Sequence, residues 1–145
     1  MSAGAPSAGV AAARLAVVQW FVDDVERALV WYETVFGMTR AFVHPSGGFG
    51  VLATGTTGLA FATWDVARDT GVLPGRPEPV ATPAPVVVAL IVEDASAAYR
   101  RALDAGARGV AAPRRQPWGQ VTGYVRDPHG LLLELGEPEE VILLD

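Results

Sequence analysis

The sequence repeats itself at long range. "FVDDVERALVWY", beginning at Phe21, aligns with "IVEDASAAYRRA", beginning at Ile91, at an offset of 70 residues, and "GLAFATW" aligns with "GLLLELG" at an offset of 72. Two copies of one unit are expected to pair around a pseudo-twofold axis. A length of 145 residues is that of one ordinary domain, so the two halves should share one compact body.

Each half reads as strand, helix and three strands. In the first, "LAVVQWFV" is strand-like, and Asp23 or Asp24 can cap a helix in which Val25, Ala28, Leu29, Tyr32, Val35 and Phe36 recur at helical spacing before Gly37. "TRAFVH", "FGVLAT" and "GLAFATW" follow as short extended pieces of an antiparallel sheet. In the second half "VVVALIV" is the strand, Asp94 caps the helix, Gly106 ends it, and "RGVAAP", "GQVTGYVRD" and "LLLELGE" are the three extended runs. This predicts an α+β fold with helices on one face of each curved sheet. The expected divisions are a tail at 1–13, a first module at 14–72, a proline-rich linker at 73–85, a second module at 86–138 and a tail at 139–145.

Composition narrows the function classes. The net charge is -5 and no basic cluster exceeds "PRR" or "YRR", which gives no footprint for a phosphate backbone, so no nucleic-acid partner is expected. The apolar runs are far shorter than the ~20 residues that span a bilayer, so no membrane partner is expected. Cysteine is absent, which removes thiolate chemistry and disulfides and fits a cytoplasmic protein. The two histidines, His44 and His129, stand beside or inside the turns "PSGG" and "DPHG", where exposure is expected and no helical ligand pair forms.

One residue stands against its surroundings. Glu134 lies in a run of leucines that reads as a covered strand, and a carboxylate there must find a cation, a metal, hydrogen-bond donors or a proton.

The segments "FVDDVERALVWYETVFGM", "VEDASAAYRRALDAGA" and "QPWGQVTGYVRDPHGLLLELGEP" resemble the two modules of the vicinal oxygen chelate superfamily, which holds glyoxalases, extradiol dioxygenases, fosfomycin-modifying enzymes and bleomycin-type resistance proteins. The resemblance covers residues 15–138. It implies a pair of βαβββ modules forming an open sheet cup, usually in a homodimer. In metal-dependent members one side chain on each of four strands holds a divalent ion. Those positions fall on Val17, Ala62, Val87 and Glu134, and the first three cannot bind a metal. The pattern is closest to the metal-free, bleomycin-resistance-like drug-binding branch, and no cofactor is expected.

Alternation along strands assigns the cup's lining. If Val17 faces the cup, so do Gln19 and Phe21, with Ala60, Ala62 and Trp64, with Val87, Ala89 and Ile91, and with Leu132 and Glu134. Phe49 either lines the pocket or packs below it, and Arg40 or Arg126 is expected at the rim. Trp118, between Pro117 and Gly119, either offers a stacking platform at the mouth or covers the core edge. The ligand-binding set expected is therefore Gln19, Phe21, Phe49, Ala62, Trp64, Ala89, Trp118, Leu132 and Glu134. Such a pocket suits an aromatic or polycyclic small molecule fixed by one or two hydrogen bonds, held for resistance by sequestration. The alternative is a cofactor-independent isomerase, cyclase or lyase with Glu134 as general acid or base. A ligand-free interaction module is the third class.

Overall fold

A computed structural model describes residues 9–78 and 86–138. The elements run β1 (Val17–Val22), α1 (Val25–Phe36), β2 (Thr39–Val43), β3 (Phe49–Ala53), β4 (Gly58–Thr63), α2 (Trp64–Asp69), β5 (Val88–Ile91), α3 (Ala95–Asp104), β6 (Arg108–Arg115), β7 (Val121–Arg126) and β8 (Leu132–Gly136). The expected tail at 1–13 and the linker at 73–85 lie partly, and the tail at 139–145 wholly, outside the described residues.

The duplication is visible in the helix caps. Asp24 accepts the N–H of Arg27 at 3.1 Å and Asp94 accepts that of Ala97 at 3.0 Å, so each helix begins by satisfying one of its free donors with an aspartate. Gly37 ends α1 at φ 66°, a left-handed conformation that costs glycine little. The short α2 was not expected. Thr63 caps it by accepting from the N–H of Val66 at 3.3 Å, so Trp64 opens a helix instead of ending a strand.

Each module forms a four-stranded sheet, in the orders β1-β4-β3-β2 and β5-β8-β7-β6. The last three strands of each module are antiparallel, as expected, while β1 runs parallel to β4 and β5 parallel to β8. The sheets are therefore mixed. A strand that returns through a helical crossover comes back in the same direction, whereas hairpins reverse it.

Both sheets turn one face to a single core. Val22, Leu52, Leu59 and Phe61 of the first sheet, Val125, Leu133 and Leu135 of the second, and Leu29, Tyr32, Ala98 and Ala102 of the helices belong to one buried cluster. Each large side chain so buried contributes about 1.5–3 kcal/mol. Bonds between modules seal this arrangement. Tyr32 Oη donates to Asp127 Oδ2 at 2.6 Å, Trp31 Nε1 to the carbonyl of Ala105 at 2.8 Å, and Arg101 Nε to that of Val35 at 3.2 Å. The modules are thus packed through their helical layers, and the opposite faces of the two sheets turn away from the shared core. Among the described residues the two sheets of one chain are not closed around a cup; they present two open faces.

Candidate functional site

The open face of the first sheet is a trough with an alanine floor. Ala62 lies between Phe21 and Phe49 on the neighbouring strands, and Ala60 between Gln19 and Val51. Both alanines are completely buried, although alternation with the core residues Leu59 and Phe61 turns them to the opposite face. Phe21 and Trp64 pack with ring centroids 5.9 Å apart, and Phe42 and Phe49 at 6.3 Å. Trp64 is held by a hydrogen bond from Nε1 to Asp23 Oδ1 at 2.9 Å. Phe42 is 50% exposed and Gln19 is exposed.

The open face of the second sheet carries the polar chemistry. Glu134 pairs with Ala89 on β5 and with Tyr124 on β7; Gly136 pairs with Ile91 and Thr122, and Leu132 with Arg126. Tyr124 Oη donates to Glu134 Oε1 at 2.7 Å. This bond to the carboxylate, with burial adding to it, holds the Tyr124 phenol above its ordinary value of 10.0. Gln116 Nε2 donates to Thr122 Oγ1 at 2.8 Å beside it. Arg126, expected at the rim, makes no ion pair with Glu134; its Nη1 donates to the carbonyl of Gly130 at 2.9 Å.

Trp118 occupies the tip of the β6–β7 hairpin and is 56% exposed. Its Nε1 donates to Gln120 Oε1 at 3.3 Å, and the buried Gln120 in turn donates from Nε2 to the carbonyl of Glu137 at 2.8 Å. Gly136 makes room for this arrangement, since a Cβ there would lie 2.7 Å from Gln120 Nε2.

Three placements differ from expectation. Arg40 lies on the helix side, where Nε donates to Glu33 Oε2 at 3.0 Å and Nη1 to Glu26 Oε1 at 2.8 Å. A bulge between Arg40 and Phe42 breaks the strand's alternation, so these two residues face opposite ways. The counterpart of Glu134 is Ala60, not Ala62: the capping aspartates make Gln19 and Ala89 equivalent, and these pair with Ala60 and Glu134. The nine expected ligand contacts do not form one pocket. Gln19, Phe21, Phe49 and Ala62 are on the first sheet's open face with Trp64 beside them, while Ala89, Leu132 and Glu134 are on the second's with Trp118 at its end. Tyr124 and Thr122 were missed, although the period-two pattern of "VTGYVR" puts both on one face; only the strand register brings them to Glu134.

The donor set does not suit a divalent ion. Val17, Ala60, Ala62 and Val87 have no ligating side-chain atom, leaving Glu134 alone where a catalytic site needs about three protein ligands. Among the described residues no group of three or more His, Cys, Asp or Glu side chains is placed to hold a metal. No helix there is long and apolar enough to cross a membrane. A cavity of about 720 Å³ opens instead at the seam between modules, lined by Phe36, Met38, Thr57, Leu59 and the strand edge Val86–Ile91.

The family model of the glyoxalase/bleomycin resistance protein/dioxygenase superfamily matches residues 14–135. The chain belongs to this superfamily. Solved structures of the glyoxalase fold superpose on it closely. A glyoxalase/bleomycin resistance protein/dioxygenase family enzyme from Burkholderia phytofirmans PsJN aligns with a TM-score of 0.73 at 19% identity, over 86% of this chain and 98% of that one. A glyoxalase-related enzyme from Fulvimarina pelagi aligns at 0.71 and 20% identity, over 86% and 88%. TioX from Micromonospora sp. ML1 aligns at 0.62 and 25% identity, over 86% and 98%. At 19% and 20% identity the first two show a shared fold. An uncharacterised protein of Mycobacterium bovis is 43% identical over 61 residues, so the match spans 42% of this chain and 40% of that protein's length.

Proposed function

We propose that this superfamily member binds a flat, largely apolar small molecule in a cup assembled from two copies of the chain, without a metal, and that it acts by sequestration. The observation that carries this reading is the outward turn of the two sheet faces. One offers an alanine-floored trough rimmed by Phe21, Phe42, Phe49 and Trp64; the other offers a carboxylate–phenol pair on an otherwise small and aliphatic strand pair. The first face of one copy set against the second face of another gives an apolar space with one polar anchor, the usual composition of a small-molecule site.

Two measurements test it. Light scattering on a sizing column should give a particle of two chains; a monomer at micromolar concentration refutes the composite cup. A thermal-shift screen of flat aromatic compounds, repeated with EDTA, should give stabilisation that the chelator leaves unchanged. A ligand at one hundred times its Kd adds about 2.7 kcal/mol.

The Tyr124–Glu134 pair also favours a second reading, in which a bound metabolite is isomerised or cyclised with Glu134 moving the proton. A phenol 2.7 Å from the carboxylate supplies the partner that a lone acid lacks. Product analysis by mass spectrometry after incubation separates the readings, because a sequestering protein returns its ligand unchanged.

A further inference from the structure

We infer that the ligand carries a protonated amine, and that this group sits on the second oxygen of Glu134. The inference rests on the cup reading and adds to it the chemistry of the occupant.

The polar groups on the second sheet's open face form a row that ends in an acceptor. Gln116 Nε2 donates to Thr122 Oγ1 at 2.8 Å, and Tyr124 Oη donates to Glu134 Oε1 at 2.7 Å. Thr122, having accepted from Gln116, stands two residues from Tyr124 on the same face of β7. The Tyr124 proton is therefore used within the protein. The other carboxylate oxygen, Oε2, has no hydrogen bond or ion pair among the described residues. It leans toward Gly136, where an added Cβ would come within 3.7 Å, so no side chain of that residue covers it.

No cation bonds to this oxygen among the described residues. Arg126 is engaged with the carbonyl of Gly130, and Arg114, the ladder partner of Thr122, is near enough for its charge to act on the Tyr124 phenol but makes no ion pair with Glu134. The facing wall in the assembled cup is aromatic and alanine-floored; Trp64 has already committed its N–H to Asp23, and Gln19 offers an uncharged amide. When the second copy and a ligand exclude water from Glu134, a carboxylate oxygen left without a donor is costly. A neutral apolar ligand would impose that cost, whereas an ammonium group removes it and gains a charge-assisted bond. The rings of Phe21, Phe42 and Trp64 add favourable faces for the same cation.

Three fluorescent probes of nearly equal shape and different charge test the inference on the full-length protein at neutral pH: anthracenemethylammonium, anthracenemethanol and anthracenecarboxylate. The cation should bind at least about tenfold tighter than the neutral alcohol. Glu134→Gln should erase that preference, read as the ratio of the two affinities on the same variant, and Tyr124→Phe, which keeps the carboxylate but frees its orientation, should reduce the ratio only in part. Tightest binding of the anion, or a cation preference that survives Glu134→Gln, overturns the inference while leaving the cup reading in place. Failure of all three probes to bind overturns the cup reading and the inference with it.

Discussion

Replacing Tyr32 by Phe tests how the two modules are fastened. The hydroxyl donates to Asp127 Oδ2 at 2.6 Å across 95 positions of sequence. Tyr32 is fully buried and Asp127 is 4% exposed. The other Asp127 oxygen is occupied by the N–H groups of His129 and Leu131, both at 2.8 Å. Removing the hydroxyl keeps the ring in the core but leaves Oδ2 inside the protein without that donor. Hydrogen bonds to charged groups are worth about 1.5–3 kcal/mol, so the loss should be about 2 kcal/mol. For a chain of this size that is a fall in Tm of roughly 4–8 °C, read by calorimetry and by urea unfolding with an unchanged slope. A double-mutant cycle with Asp127→Ala should give a coupling of at least about 1 kcal/mol. A loss under about 0.5 kcal/mol with no coupling would show that this bond does not fasten the modules. The same pair sets an alkaline response. Burial first, and the nearby Asp127 second, push the Tyr32 phenol well above its ordinary value of 10.0. Folding therefore favours the neutral phenol, and this contribution is intact below pH 10.0 and lost as pH rises toward the folded-state value. Above pH 10.0 the wild type should lose stability more steeply than Tyr32→Phe; parallel curves would contradict the assignment.

Other expectations follow from single contacts. Gly136→Ala should displace Gln120 from the Glu137 carbonyl and loosen Trp118, costing about 1–3 kcal/mol; emission anisotropy at Trp118, isolated by comparison with Trp118→Phe, should fall, and an unchanged value would show that Gln120 accommodates the methyl. Asp24→Ala and Asp94→Ala remove equivalent caps and should each cost about 1 kcal/mol, so strongly unequal denaturation midpoints would mean that the repeated helices are not repeated energetically. Gly37→Ala places a side chain at φ 66° and should destabilise by about 1 kcal/mol in urea unfolding. Zinc titrated calorimetrically into the metal-stripped protein should show no tight stoichiometric site, since only one of the four corresponding positions carries a donor.

The amino-acid pattern alone determined the modular architecture. Hydrophobic periodicity, the aspartate caps and the glycine after α1 act over a few residues, so the order strand, helix, three strands could be read directly, as could the alternation that puts Gln19, Phe21, Ala89 and Glu134 on open faces. What pairs with what across the sheets was not local. The parallel course of β1 and β5, the bulge that turns Arg40 to Glu26 and Glu33, and the two-residue difference that makes Ala60 the counterpart of Glu134 all depend on hydrogen-bond register between distant segments. The largest such decision concerns the modules themselves. A strand with one apolar face does not record which surface will cover it, and here the helical layers of both modules share one core locked by Tyr32 and Asp127. That packing turns the candidate site into two faces looking apart. It also answers what holds the carboxylate of "GLLLELGE": a tyrosine one strand away, which period-two alternation alone could not align with it.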